Sequence, residues 1–437
     1  MKNAPPSTNS SRRAFVQSTA ATLAATSVAS AQGGGKKKTL RAAMIGSGKR
    51  GTMDARDFLC SSDVEIVAIA EMFEDRAKLA TENLSSKKYF GERWEKGKDK
   101  LKVTNETTFI GFDAYKKVLE MDEVDIVLLL TPPGFRPEHL RAAMDAGKHV
   151  FMEKPAAVDS TGIRSVLESG EMAAKKGLSI VGGTQQRRMP HYIDIMQRVA
   201  DGHIGDIRTL QTAWHWDNMF WHYEDRKPEW TDMEWQLRCW PYFTWLSGDH
   251  IVEQHVHNLD VMNWAMGGPP VKALGRGGRQ LRTGENFGNI YDHFAVEYEY
   301  ENGVRMASYS SQMLGATGLV VERIVGCDGE AVMDRSGSKI TGTNAYTFEG
   351  ETHDGGEKQF ADLVESIHKK EPINEAKRIA EATMTGIMGR MSAYTGRAVS
   401  WNYALNGSKE DLRPASYSME GDLPVRPVAI PGKTKLV

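Results

Sequence analysis

Cysteine is scarce in this chain of 437 residues: Cys60, Cys239 and Cys327 leave one over from any pairing, and none shares a C-x-x-C spacing with another. That pattern excludes a disulfide framework and signals no zinc site; it suits buried thiols that act as small apolar side chains. No apolar run approaches about 18 residues, the length a membrane-spanning helix needs, so no stable membrane insertion is expected. Charge of one sign is missing as well. The formal net charge is -2, and residues 1–31 hold Lys2, Arg12 and Arg13 but no acid, so the remainder carries -5. Such a surface does not suit nucleic acid, whose binding rests on neutralising phosphates. No internal repeat is visible. What is present, 40% hydrophobic and 26% charged residues, is the composition of a packed globular protein, and the length suits two domains with extensions.

The N-terminus has the order of an address. Ser11-Arg12-Arg13-Ala14-Phe15-Val16 is followed by a weakly apolar Ala/Thr stretch, then by the small residues Ala29-Ser30-Ala31 and a Gly/Lys linker. This resembles a twin-arginine export signal. The resemblance implies a signal peptide over residues 1–31, a linker over 32–38, and a mature protein that is periplasmic or otherwise exported. It also implies export in the folded state, with any cofactor already loaded and held tightly.

From residue 39 to 158 strand and helix signals alternate. Leu40 to Ile45, Val64 to Ala70, Ile126 to Leu130 and Val150 to Met152 read as buried strands, and Pro137 to Ala146 as a helix with Gly147 beyond its end. This alternation predicts a parallel, doubly wound sheet. A helix over about 160–176 and a strand at Leu178 to Val181 complete it. The pattern then changes. In Phe294-Ala295-Val296-Glu297-Tyr298-Glu299-Tyr300 every second residue is apolar, and Asn302-Gly303 turns the chain into a second strand from Val304. Residues 159–437 are thus expected to form an open, mostly antiparallel sheet with helices near 357–370 and 375–396, ending in an irregular tail after 402.

Gly46-Ser47-Gly48-Lys49-Arg50-Gly51 closes the first strand and opens a helix with G-x-G-x-x-G spacing. The first glycine permits a tight turn, the second lets a pyrophosphate approach the backbone, and the third allows close helix packing. The helix N-terminus adds partial positive charge. Glu71 ends the second strand, where an acid accepts hydrogen bonds from the adenosine ribose and repels a 2′-phosphate. The signature therefore points to NAD rather than NADP, with Ser47, Lys49 and Arg50 beside the phosphates.

Thr131-Pro132-Pro133 with His139, Ala146-Gly147-Lys148-His149-Val150 and Glu153-Lys154-Pro155 resemble the Gfo/Idh/MocA family (glucose-fructose oxidoreductase, inositol dehydrogenase, rhizopine catabolism), over roughly residues 39–400. The resemblance implies a Rossmann domain followed by a sheet domain and an NAD(P)-dependent oxidoreductase acting on a carbinol carbon. It places Thr131, Pro132, His139 and Glu153 by the cofactor and Lys154 beside nicotinamide and substrate. It makes His257 the general base. Glu253 stands where the family usually has aspartate, four residues before His257 and so on the same face of one helix. Arg187, His255 and Tyr291 are expected to reach substrate, and Arg187 equally to shape the domain junction. No metal is expected, although His250, His255 and His257 lie close in sequence. A dimer or tetramer is implied by the resemblance alone.

Seven tryptophans between residues 214 and 245 suit either sugar-ring stacking or a buried packing role. The expected substrate is a sugar, cyclitol or glycoside. The alternative is an NAD-dependent glycoside hydrolase working by transient oxidation at C3 and elimination. A third possibility, a non-catalytic binding protein, conflicts with the intact Lys154 and His257.

Overall fold

The computed structural model describes residues 38–437; the twin-arginine-like segment and the linker through Lys37 lie outside them. The first sheet has six parallel strands, β1 (Leu40–Ile45), β2 (Val64–Glu71), β3 (Thr108–Ile110), β4 (Ile126–Leu129), β5 (His149–Met152) and β6 (Ile180–Gly182), in the order β3-β2-β1-β4-β5-β6. The strands are almost wholly apolar because helices cover both faces. Among these are α1 (Lys49–Ser61), α2 (Arg136–Asp145) and α3 (Ser160–Lys176). Pro137 sits in the first turn of α2, and α3 runs from an Asp159 cap on Gly162 N to a left-handed Gly177. The strand order reverses between β1 and β4, which opens a crevice at the strands' carboxyl ends.

The second sheet has nine strands. They are β7 (Ile207–Trp216), β8 (Lys272–Gly278), β9 (His293–Glu299), β10 (Arg305–Gln312), β11 (Leu319–Gly326), β12 (Gly329–Asp334), β13 (Gly337–Gly342), β14 (Tyr346–Thr347) and β15 (Val399–Ser400). Only the β7–β10 pair is parallel. The predicted hairpin is β9–β10, and Phe294, Val296 and Tyr298 all point into the core. Helices α4 (His250–Glu253), α5 (Val256–Met266), α6 (Gly356–Lys369) and α7 (Ala376–Thr395) complete the part that matters here. Helix α7 lies against β8, where Ser392 Oγ accepts from Gly275 N at 2.7 Å.

Later parts of the chain pack back across a division at residue 158. Helix α6 returns to the first sheet, where Phe360 packs on Phe151 (4.3 Å between rings) and on Phe58 (5.7 Å). Its amphipathic pattern predicts a helix but not which sheet it covers. The tail expected to be irregular after 402 begins with a π-helical turn at Tyr403–Gly407, is irregular beyond it, and is tied down. Leu412 N donates to Asp159 Oδ2 at 2.7 Å, and Tyr417 stacks on Phe112.

Candidate active site at the domain junction

The crevice between β1 and β4 widens into a cleft of about 1150 Å³ that reaches from the glycine turn to the second sheet. Gly46 adopts φ +97°, and a Cβ there would lie 2.7 Å from Thr131 N. A Cβ at Gly51 would lie 2.8 Å from Gly46 O, so α1 presses directly on the turn. Gly48 has nothing within 4 Å of its missing Cβ, and no side chain caps α1. The first-turn amides and the open space beside Gly48 therefore fit a pyrophosphate. Lys49 lines the same wall.

Glu71 stands at the cleft as predicted, and its carboxylate is also built into the protein. Oε2 accepts from Ser47 N (2.6 Å) and Ser47 Oγ (2.9 Å), and Oε1 accepts from Met72 N (2.7 Å) and Phe73 N (3.2 Å). Glu71 thus braces the glycine turn as well as offering charge at the ribose end. Arg50 lines the cleft beside the glycine turn and is also tied to protein carboxylates. Its guanidinium pairs with Glu153 (2.9 Å) and Asp54 (3.0 Å) and reaches Gln185. Those carboxylates are buried, and an ion pair is what makes a buried charge tolerable. The Arg50–Glu153 pair fastens the glycine turn to the segment that carries Lys154. Thr131 and Pro132 line the cleft. His139 lies beneath them, with Nδ1 3.2 Å from Thr131 Oγ1 and its ring against Tyr115. Burial, then the Arg136 charge, pushes its pKa down to about 3.

Lys154 comes from the end of the first sheet, Glu253 and His257 from the second domain, and all three line the cleft. Glu253 and His257 do not share one helix. The chain breaks after α4, where His255 N bonds back to His250 O and His257 N bonds to Gln254 O. The break leaves the Glu253 carbonyl without its helical donor, and Lys154 Nζ takes that place at 2.5 Å while also donating to Glu253 Oε1 at 2.7 Å. One residue therefore fixes the lysine through two oxygens. Burial, then the Lys154 charge, holds the His257 imidazole well below its usual pKa, so it is neutral near pH 7.

The three residues expected to reach substrate do not line the cleft. Arg187 forks onto Asp260 (2.8 and 3.0 Å) and lies over the Trp264 ring, taking the junction role. His255 is fully buried, with Nε2 2.7 Å from Ser308 Oγ. Tyr291 is buried too, its hydroxyl donating to Ala429 O. Arg187 follows β6, Tyr291 precedes β9 and His255 lies in the break after α4, and each is engaged by protein partners instead. Among the described residues no group of three or more His, Cys, Asp or Glu side chains could hold a metal ion.

Asp260 is also paired with Arg378 at 3.1 Å. Burial opposes its charge, but Arg187 and Arg378 outweigh burial and hold its carboxyl below the usual range. Asp260→Ala should leave the Arg187 guanidinium without a carboxylate, while Arg378 keeps Glu375 at 2.9 Å, and cost about 3–5 kcal/mol, read as a lower urea midpoint; an unchanged midpoint would refute the junction role.

Two further residues, Arg335 on the cleft wall and Gln186 buried behind His257, carry no sequence signal. Gln186 accepts from His257 Nδ1 at 2.9 Å, and Arg335 lies over Trp214 (5.2 Å) from the β12–β13 turn. The tryptophans divide in two. Trp230, Trp235 and Trp245 are buried in a separate apolar cluster that also takes in Phe73 and Phe135. Trp214, Trp216, Trp221 and Trp240 line the cleft. The same segment crosses to the first domain through Arg238, which pairs with Asp75 (3.1 Å) and lies 4.0 Å over the Phe73 ring.

Residues 40–182 match the family described as "Oxidoreductase family, NAD-binding Rossmann fold", and residues 192–332 match "GFO/IDH/MocA C-terminal domain". The chain is 26% identical over 186 residues to an uncharacterized oxidoreductase of Streptococcus pneumoniae, covering 43% of this chain and 46% of that one. It is 25% identical over 175 residues to a glycosyl hydrolase family 109 protein of Streptomyces coelicolor, covering 39% of this chain and 32% of that one. The chain thus aligns with less than half the length of each. The aldose-aldose oxidoreductase of Caulobacter crescentus, solved with glycerol, shares the fold with a TM-score of 0.62 at 18% identity, over 83% of this chain and 100% of that one.

Proposed function

Because the chain belongs to the GFO/IDH/MocA oxidoreductase family, we propose that it moves hydride between NAD and a carbinol carbon of a sugar, cyclitol or glycoside. The observation that carries this reading is the meeting of Lys154 and His257, from different domains, on the wall of the cleft that begins at the glycine turn. When bound there, nicotinamide supplies the hydride acceptor or donor. The Lys154 ammonium, held by Glu253, stabilises alkoxide character on the substrate oxygen. Neutral His257 takes the hydroxyl proton. Trp216, Trp221 and Trp240 offer apolar faces for a sugar ring, with polar groups between them to read hydroxyls.

Glu71 favours NAD over NADP, since a 2′-phosphate would meet a carboxylate held in place by four donors. The Arg238–Asp75 crossing favours slow release of the nucleotide, because the tryptophan segment must part from the first domain to open the cleft fully. Export by the twin-arginine route and assembly into a dimer or tetramer are further parts of the proposal. The first rests on Ser11 to Ala31, the second on the family resemblance.

The similarity to the family 109 glycosyl hydrolase favours a second reading. Transient oxidation at C3 acidifies the neighbouring C–H, the aglycone leaves by elimination, water adds to the resulting unsaturated ketone, and the hydride returns to C3. One experiment separates the two. The native protein is denatured and its released nucleotide identified, then native protein is incubated with free sugars and with aryl glycosides. A change in the reduced-nicotinamide band with a free sugar is expected on the first reading. Aryl release without that change would establish the second, and a protein that neither carries nor binds nucleotide would end both.

A further inference from the structure

Gln186 sits in the short turn Gln185–Arg188 after β6, next to Arg187. Gln186 is 3% exposed and His257 6% exposed. The two meet at 2.9 Å between Gln186 Oε1 and His257 Nδ1, and His257 makes no other side-chain hydrogen bond among the described residues. The imidazole also lies nearly parallel to the Trp214 indole, 17° between planes and 5.8 Å between centroids. Ring plane and ring rotation are therefore both constrained.

A neutral imidazole carries one proton, and the nitrogen that faces a carbonyl oxygen must be the one that holds it. The other nitrogen is then a bare acceptor. We infer that Gln186 is a positioning residue: it locks His257 as the Nδ1–H tautomer and presents Nε2 to the cleft as the proton acceptor. This inference rests on the oxidoreductase reading for its catalytic meaning, but the tautomer itself does not depend on any substrate. The charged groups that bear on the imidazole are Lys154, Arg335 and Arg50, all cationic. An amide partner leaves the imidazole neutral among them. A carboxylate in its place would favour the imidazolium.

The test uses full-length mature protein with nucleotide bound and histidine labelled with ¹⁵N. In wild type, His257 should show a protonated Nδ1 and an unprotonated Nε2 throughout the neutral range. Gln186→Leu should lose that single tautomer, and Gln186→Glu should raise the pH at which the ring becomes doubly protonated by about one unit or more. With a substrate in hand, Gln186→Leu should lower kcat about 10- to 100-fold with KM little changed, a fraction of the usual reach of acid–base groups. Gln186→Glu should regain most of that rate above its shifted pH limb. A protonated Nε2 in wild type, or a tautomer unaffected in Gln186→Leu, would overturn the inference. Those outcomes are independent of the sugar assay, so the tautomer can fail while the oxidoreductase reading survives, and the reverse.

Discussion

Lys154→Ala and His257→Ala are each expected to lower turnover by about 10²–10⁴, the usual reach of acid–base groups, while the nucleotide stays bound. The separation of effects follows from where the atoms are. The glycine turn and Glu71 hold one end of the cleft, and Lys154 and His257 stand where it meets the second domain. Lys154→Ala has a side effect that has to be removed: Glu253 is 5% exposed and would be left as an unpaired buried carboxylate. Lys154→Met with Glu253→Gln deletes the charge pair as a unit and keeps the volume. If the double variant matches Lys154→Ala in rate but regains its thermal stability, the rate loss belongs to the ammonium. Stopped-flow absorbance of the reduced nicotinamide reads the rate, and nucleotide content after gel filtration reads retention. Wild-type rates in both single variants would remove the pair from the mechanism.

The first sheet was legible because its signals are local. An apolar strand ending in Gly46, an apolar strand ending in Glu71, and Pro137 opening a helix closed by Gly147 each report a backbone requirement at the residue itself. Lys154 was legible through its tag. Glu253 and His257 were read onto one helix because a helical spacing was extended across residues 250–260, and the chain breaks at Gln254–His255. Nothing in the composition of that stretch marks a breaker, since neither Gly nor Pro occurs between Asp249 and Met266. The break is a tertiary matter. Asp249, at φ +72°, begins α4 with its carboxylate held by Tyr291 N (2.8 Å) and the Tyr394 hydroxyl (2.5 Å), contacts from the segment before β9 and from α7 that are remote in sequence. Gln186 escaped notice for the same reason, since its partner lies 71 residues away.

Substitution of the glycine turn should have the largest effect on cofactor binding, and two glycines in it should behave differently. Gly46→Ala places a methyl 2.7 Å from Thr131 N and 2.8 Å from Leu130 C, both backbone atoms that cannot swing aside, at φ +97°. The turn must move, so both folding stability and nucleotide affinity should fall. A left-handed conformation alone costs a non-glycine residue about 1–3 kcal/mol, and a loss of about 3 kcal/mol in binding is roughly 100-fold in Kd. Gly48→Ala meets nothing within 4 Å and has φ -63°, which alanine adopts freely. Its methyl enters only the space assigned to the pyrophosphate. The apoprotein should therefore unfold at the wild-type urea midpoint, while NAD affinity, read by calorimetry on apoprotein reconstituted with NAD, drops by an amount comparable to Gly46→Ala. If Gly48→Ala binds NAD as wild type does, the phosphates do not approach the backbone at that glycine, and the cofactor does not sit on the turn as the cleft geometry requires.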